Sequence, residues 1–186
     1  GVEAVLDWVR RNPRHGVRDY AMLLIMARLG LRAPEITRIE LDDIDWRSGE
    51  LTVRGKGKVH DRVPITAEVG EALSRYLREE RGPTDCRTLF VTQRAPHRPF
   101  KDSQIVNAII KDALDATGQK PATPYVGSHV LRHSLATQLI NRGASLDEVG
   151  DMLRHRSRGS TMIYARLEIE GLRSIAQPWP VAGGAQ

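Results

Sequence analysis

The sequence predicts an α+β fold that is mostly α-helical and contains one small antiparallel β-meander. Two patterns predict this fold. Apolar residues recur at three- and four-residue spacing in several segments, and residues that start or stop helices bound most of them. Between these segments, residues 44–65 carry short β-type runs separated by turn residues. A chain of 186 residues, 40% of them hydrophobic, has room for one domain with its own core.

Three helices are expected at the start of the chain. An amphipathic helix is predicted over Val2–Arg11, because Pro13 follows and ends it. A strongly apolar helix is predicted over Val17–Leu29, with Gly30 as its stop. A short helix is predicted over Pro34–Ile39, since proline is tolerated in a first helical turn.

The β-meander is expected to have three strands. The first two, Ile44–Trp46 and Leu51–Val53, flank the turn residues Arg47–Gly49. The third covers Val59–Ile65 and is joined to the second by Gly55–Lys58. This second turn is basic and contains glycine, so it predicts a hairpin tip that carries positive charge.

The rest of the chain predicts helices again, and two of them have recognisable starting residues. Asp102 or Ser103 can cap a helix, and Ser145 and Glu148 form a capping box at the start of another. The predicted helices are Ala67–Glu80, a helix ending at Ala116, one from Ser128 to the stop at Gly143, one ending at Leu153, and one from after Tyr164 to about Ile175. Residues 177–186 are rich in proline and glycine and are expected to be loose.

The composition favours a polyanionic partner without establishing one. The chain has 28 Lys+Arg and 23 Asp+Glu, a net charge of +5, and a sequence pI near 9.7. Its single cysteine, Cys86, cannot form an internal disulfide and is expected to be a partly buried small hydrophobe. No Cys/His cluster has zinc spacing, and no apolar run has membrane-spanning length. We therefore expect a cytoplasmic protein without a metal or a membrane partner.

Six residues are candidates for chemistry, and each also has an ordinary structural explanation. They are Arg32, Lys56, His129, Arg132, His155 and Tyr164. The residues at 129 and 132 share a helix face, which by itself is more often a solvated surface than a site. The arginine at 32 can simply neutralise Glu35, the lysine can be a soluble hairpin tip, and the tyrosine can be half-buried packing.

Taken together and in order, the six residues resemble the active site of the tyrosine recombinases, also called the phage integrase family. Four blocks carry the resemblance, and it extends from about Arg18 to Leu172. The blocks are Leu29–Ile36 with the first arginine, Val53–Pro64 with the hairpin lysine, Ser128–Thr137 with the His-x-x-Arg pair, and Leu153–Tyr164 with the second histidine and the tyrosine. The resemblance implies the helical catalytic domain of that family.

Two positions depart from the family's pattern. Ala33–Pro34 stands where the family more often has an aliphatic residue and a serine, which implies only a local change. Arg154 replaces the commoner glycine before the second histidine. It is expected either to approach the DNA backbone or to alter how His155 is presented.

The resemblance implies transesterification of DNA. The phenolic oxygen of Tyr164 displaces a DNA 5′-hydroxyl and leaves a 3′-phosphotyrosyl bond, so neither ATP nor a metal is needed. Lys56 is implied as the general acid for the leaving oxygen. His129 is implied to help take the proton from the tyrosine, whose unperturbed pKa is about 10.

The remaining residues of the set are implied to hold the phosphate. Arg32 and Arg132 form a clamp of two guanidiniums, and His155 adds a third donor. Glu35 is implied to support the site by hydrogen bonding. Further basic residues are expected to contact DNA phosphates, although about half of such residues are only solvated on a typical surface. They are Arg54, Lys58, Arg62, Arg98, Lys101, Arg154 and Arg156.

The resemblance also implies partners and domain organisation. The partner is double-stranded DNA, on which the full-length protein is expected to assemble as a tetramer. Residues 1–176 are expected to form the catalytic domain and 177–186 a tail, with the family's upstream DNA-binding domain absent from this chain. The helix after Tyr164 is expected either to dock on a neighbouring subunit or to pack on its own core.

Three other functions remain open from the sequence. A type IB topoisomerase uses similar Arg, Lys, His and Tyr chemistry but relaxes DNA without exchanging partners. A DNA-binding relative can keep the fold and lose the chemistry. A purely structural or protein-binding helical domain would show no salt-dependent affinity for DNA.

Overall fold

The computed structural model describes residues 1–55, 60–120 and 127–154. Within those ranges the chain has seven α-helices and a three-stranded antiparallel sheet, which confirms the mostly helical α+β prediction. The elements are α1 Val2–Arg11, α2 Val17–Leu29, α3 Ala33–Ile36, β1 Ile44–Asp45, β2 Glu50–Arg54, β3 His60–Pro64, α4 Ala67–Glu79, α5 Gln104–Thr117, α6 His129–Asn141 and α7 Leu146–Met152.

Helix α2 lies at the centre of the core. It packs against α1, α4, α5 and α6, and its residues 21–26 are fully buried. This is the expected position for a helix whose residues 21–27 are apolar on every side, since no face of that segment suits solvent. The helix ends at Gly30, whose φ of 65° lies in the left-handed region and whose N–H donates to the Met26 carbonyl. The glycine stop of the sequence prediction is therefore confirmed.

The sheet is a meander in the order β1–β2–β3, as predicted. Leu51 and Val53 of β2 face the core and pair with Val63 and Asp61 of β3. The alternation of buried and less buried residues along β2 explains why this segment forms a strand on the core surface. Residues 56–59, which connect β2 to β3, lie outside the described residues.

Helix α3 is shorter than predicted. It ends at Ile36 and not at Ile39. The Leu89 N–H donates to the Ile39 carbonyl over 2.8 Å, and an isolated antiparallel bridge joins Glu40 to Thr88. Residues 37 and 38 form a turn after the helix, and these long-range bonds then hold the chain in an extended conformation at Glu40. The bridge has no signal in the local sequence, so the prediction extended the helix too far.

The capping predictions have mixed outcomes, since Ser103 is the N-cap residue of α5 but its side chain makes no capping bond. The box at the start of α7 is confirmed, because Ser145 Oγ accepts from the Glu148 N–H and Glu148 Oε2 accepts from the Ser145 N–H. At the start of α6, the Ser128 side chain makes no capping bond. Instead, the Ser128 N–H donates a hydrogen bond to Oδ1 of Asn107 on α5, at 3.0 Å. The side chain of a neighbouring helix thus replaces the local cap.

Several predictions fall on residues that the structure leaves out. The helix expected after Tyr164 and the tail 177–186 lie outside the described residues, and the domain boundaries stay predictions. Cys86 is partly buried, as expected. No helix among residues 1–55, 60–120 and 127–154 is both long and apolar enough to cross a membrane.

Candidate active site

Arg32 is placed by the sharp turn between α2 and α3. It is the N-cap residue of α3, two positions after the left-handed Gly30. Its main-chain N–H donates to Glu35 Oε2 at 2.7 Å, and its Nη1 donates to Glu35 Oε1 at 3.0 Å. Glu35 therefore fixes both the backbone and the side chain of Arg32. The Arg32 side chain is 41% exposed, so its guanidinium lies at the protein surface.

Arg132 lies on α6 and is buried. Its Nη1 donates to the Gly30 carbonyl, and its Nη2 donates to the Leu153 carbonyl. One guanidinium thus joins three segments: the α2–α3 turn, helix α6 and the residue that follows α7. A planar fork with fixed N–H directions suits this role, which a flexible ammonium group could not fill.

Arg154 follows the same helix α7 and turns inward. Its φ of 55° lies in the left-handed region, and its side chain is only 8% exposed. Its Nη2 lies 3.1 Å from Glu35 Oε2, and longer bonds of 3.3 Å and 3.4 Å reach the carbonyls of Leu29 and Gly30. The sequence analysis expected Arg154 either to contact the DNA backbone or to alter how His155 is presented. Contact with the DNA backbone would require the side chain to leave this buried position.

The Glu35 carboxylate lies between Arg32 and Arg154 and accepts hydrogen bonds from both. Burial raises the pKa of its carboxyl, but the Arg32 N–H and the charges of Arg154 and Arg32 outweigh burial and hold that pKa below its usual range. Glu35 is therefore ionised at neutral pH and keeps the two arginines beside it.

Two histidines lie on the helix that carries Arg132. His129 is the first residue of α6 and is exposed, three positions before the arginine. His133 is half-buried, and burial together with the nearby His129 lowers its pKa. The predicted pair at 129 and 132 thus lies on one helix, with the histidine at the surface and the arginine inside.

The described part of the chain brings together four of the predicted residues, Arg32, Glu35, Arg132 and Arg154. Five others lie outside the described residues, so their roles stay predictions. They are Lys56, Lys58, His155, Arg156 and Tyr164. Within the described ranges, no group of three or more His, Cys, Asp or Glu side chains is arranged to hold a metal ion.

The other side chains that were predicted to contact DNA differ in their exposure and in the ion pairs that they form within the protein. Arg54 pairs with Glu40 at 2.7 Å and with the buried Asp43 at 2.9 Å. Arg62 is 75% exposed and pairs with Glu50 at 3.2 Å. Arg98 and Lys101 are exposed. The last three residues are accessible to a DNA phosphate, whereas Arg54 anchors the end of β2 to the turn before β1.

The backbone groups that assemble this site could not be predicted from the sequence. The carbonyls of Gly30 and Leu153 accept from the arginines, and a carbonyl group has no signature in the sequence. The available signals were indirect: a glycine at a helix stop, and an arginine at 154 where the family more often has glycine.

The sequence of the whole chain was compared with those of known protein families. A sequence model of the phage integrase family matches residues 2–170. The chain belongs to the phage integrase family. This membership confirms the resemblance inferred from the four sequence blocks.

Individual members of the phage integrase family agree with this assignment. The integrase/recombinase y4rA of Sinorhizobium fredii is 42% identical over 96% of this chain and 43% of its own length. Tyrosine recombinase XerC of Oceanobacillus iheyensis is 34% identical over 85% of this chain and 52% of its own length. The chain thus spans about half the length of these two relatives.

The fold also matches solved structures of the family. A crystal structure of XerA recombinase superposes with a TM-score of 0.76 and 27% identity, covering 94% of this chain and 61% of that chain. The helical catalytic domain expected from the sequence is therefore confirmed.

Proposed function

We propose that the protein is a site-specific DNA recombinase that cleaves and rejoins DNA strands through a 3′-phosphotyrosyl intermediate. The observation that supports this most strongly is the position of Arg132. It binds the carbonyl of Gly30, two residues before Arg32, and the carbonyl of Leu153, two residues before His155. A single buried side chain therefore connects the segments that carry the proposed phosphate-binding groups.

The proposed reaction exchanges one phosphoester for another. The phenolic oxygen of Tyr164 forms a bond to phosphorus, and the bond between phosphorus and the DNA 5′-oxygen breaks. His129, at the exposed start of α6, helps to accept the phenolic proton. Lys56 gives a proton to the leaving 5′-oxygen. In rejoining, the 5′-hydroxyl of a partner strand attacks the phosphotyrosyl bond and releases the tyrosine.

The negative charge on the transferred phosphate is proposed to be stabilised by Arg32, Arg132 and His155. Guanidiniums suit this role because they stay charged and offer two parallel donors to phosphate oxygens. By analogy with other preorganised donor sites, loss of one donor is expected to reduce the rate on the order of 10²- to 10³-fold. These cationic groups make a metal ion unnecessary, and the energy of the broken bond is conserved in the new ester.

The proposed substrate is double-stranded DNA, and the proposed active form is a tetramer on DNA. Exposed Arg62, Arg98 and Lys101 would contact phosphates and set the position of the duplex without reading its sequence. The segment after Tyr164 would link the subunits. We assign residues 1–176 to the catalytic domain and expect the protein to act in the cytoplasm, where its DNA substrate lies.

Covalent trapping tests this function. The protein is incubated with duplexes taken from the DNA that flanks its gene, each nicked so that the cleaved fragment diffuses away. A metal-independent adduct on a denaturing gel, mapped by mass spectrometry to the Tyr164 peptide, is the expected result. Tyr164→Phe should abolish it, while Tyr20→Phe serves as the matched control and should keep it.

Other outcomes of the trapping experiment lead to the alternatives. A duplex that is bound without any adduct would indicate a DNA-binding relative that has lost the chemistry. Relaxation of supercoiled DNA without exchange of strands would indicate an activity like that of a type IB topoisomerase. An adduct on another residue would overturn Tyr164 as the nucleophile.

A further inference from the structure

We propose that Arg154 is a positioning residue of the candidate active site: it holds the Glu35 carboxylate in place, so that Glu35 can orient Arg32 toward a phosphate. This inference rests on the proposed function, because the phosphate is that of the DNA strand. It concerns a position where the chain departs from the glycine that the family's pattern favours. Arg154 acts through its two neighbours and does not itself touch the reacting atoms.

The backbone at Arg154 is the first observation. Its φ of 55° is the positive φ of a left-handed residue, and within the described ranges every other residue with positive φ is a glycine. A side chain with a Cβ adopts this conformation rarely, because the Cβ approaches the following carbonyl. Glycine would adopt it without strain. An arginine at this position therefore carries a backbone cost that glycine would not, and the contacts of its side chain must offset that cost.

The surroundings of the side chain are the second observation. The Arg154 side chain is 8% exposed and that of Glu35 is 12% exposed, and the two are 3.1 Å apart. Arg154 Nε is buried and has no hydrogen-bond partner among the described residues. The contacts to the carbonyls of Leu29 and Gly30 are long, at 3.3 Å and 3.4 Å. The ion pair with Glu35 is thus the principal interaction of this guanidinium.

The division of the Glu35 oxygens is the third observation. Oε1 accepts from the Arg32 side chain, while Oε2 accepts from the Arg32 main-chain N–H and from Arg154. The Arg32 side chain is partly exposed, whereas that of Arg154 is buried. When Arg32 turns toward a phosphate, Glu35 keeps a buried counter-ion and stays in place. Without Arg154, a buried carboxylate would compete with the phosphate for Arg32.

Three variants separate the charge of Arg154 from its backbone conformation. Arg154→Gly removes the charge and relieves the left-handed strain, while Arg154→Gln removes the charge and keeps that strain. Arg142→Gly removes an exposed arginine near the end of α6 and controls for the loss of one positive charge. Single-turnover formation of the covalent adduct on the nicked duplex is measured for each across pH, and thermal unfolding shows which variants fold.

Both neutral variants, Arg154→Gly and Arg154→Gln, are expected to slow adduct formation roughly ten- to a hundredfold, because Arg32 would no longer be held in its productive orientation. They are also expected to move the acid side of the rate profile to higher pH. Among the described charged side chains, Arg32 on α3 and Arg154 after α7 face Glu35. Removing one of these two cations makes Glu35 easier to protonate. In a Glu35→Gln background, replacing Arg154 should have little further effect, because its partner is already gone.

The Arg142→Gly control is expected to keep the wild-type rate and profile. If Arg154→Gly and Arg154→Gln also keep them, Arg154 has no positioning role and the proposal is wrong. If Arg154→Gly does not fold, Arg154→Gln carries the same test. If instead the wild type forms no adduct, the proposed function fails by itself. The ¹³C NMR titration of the Glu35 carboxyl in wild type and Arg154→Gln then still decides whether Arg154 holds this carboxylate.

Discussion

The Arg132 guanidinium donates a hydrogen bond to the main-chain carbonyl of Gly30, which lies 102 positions earlier in the sequence. The bond is buried and connects helix α6 to the turn that presents Arg32. A second bond from the same side chain reaches the carbonyl of Leu153. The geometry of the site therefore depends on the backbone of the Gly30 turn as much as on the charged side chains.

Gly30→Ala is expected to destabilise the fold and to slow adduct formation. A Cβ at this position would lie 2.6 Å from Leu153 Cδ2 and 3.2 Å from Leu135 Cδ2, in a φ of 65°. The left-handed backbone alone costs about 1–2 kcal/mol, and overpacking adds about 1–3 kcal/mol. Urea unfolding measures the sum.

Gly118→Ala is the matched control for this prediction. Gly118 has a φ of 64°, but a Cβ there would meet nothing within 4 Å. This variant should show only the backbone cost and normal cleavage. If both variants lost the same free energy of unfolding, Leu153 and Leu135 would have moved to accommodate the new methyl group. The close packing around Gly30 would then make no contribution to the destabilisation.

Arg132→Lys is expected to bind DNA and to cleave it poorly. A lysine keeps the positive charge, but a single ammonium group cannot replace the planar fork that reaches the carbonyls of Gly30 and Leu153 together. A buried carbonyl left without a donor costs about 1–3 kcal/mol, so the unfolding free energy should fall as well. Gel-shift and covalent-trapping assays on one duplex check both parts. Arg142→Lys, at an exposed arginine after the same helix, should behave as wild type, and unchanged cleavage by Arg132→Lys would remove this residue from the clamp.

The free energy of unfolding is expected to decrease as the pH is lowered, because His133 is harder to protonate in the folded state. Burial lowers the pKa of this histidine, and the nearby His129 lowers it further. A histidine whose pKa is lower in the folded state stabilises the fold fully above its unfolded pKa, near 6.5, and this contribution is lost as pH falls through the folded value. Urea unfolding between pH 5 and pH 8 should show a shallower dependence for His133→Gln than for wild type. Identical slopes would show that this histidine titrates alike in the folded and unfolded chain.

Lys56→Ala is expected to slow cleavage because the leaving 5′-oxygen loses its proton donor. The sequence alone makes this prediction, since residue 56 lies outside the described residues. A substrate with a 5′-bridging phosphorothiolate has a better leaving group and needs no acid. Such a substrate should restore much of the rate to Lys56→Ala and none to Arg132→Lys. Absence of rescue in the lysine variant would remove it as the general acid.

The local elements could be predicted from the sequence because their signals are local. Helices α1 and α2 have the predicted bounds, and the Ser145 box starts α7 as expected. Helical periodicity, caps and glycine stops act over three or four residues, which are adjacent in the sequence. The contact between Arg32 and Glu35 has the same origin, since both residues lie at one helix start.

The elements that the prediction missed depend on distant parts of the chain. Helix α3 ends early because residues near Ile39 bond to the segment around Leu89. The start of α6 is capped by the Asn107 side chain of α5, a bond that the sequence around Ser128 does not predict. No local pattern specifies which distant donor or acceptor will arrive at a given backbone group.

The order of the described helices and strands, the family and the candidate reacting residues all follow from residue types at fixed spacing in the sequence. In contrast, no sequence pattern predicts that Arg132 and Arg154 both donate to the carbonyl of Gly30, or that Arg154 turns inward to Glu35. These contacts depend on the packing of the helices, because carbonyl groups are the same in every residue. Which carbonyl a buried arginine reaches is therefore set by how the helices pack around α2.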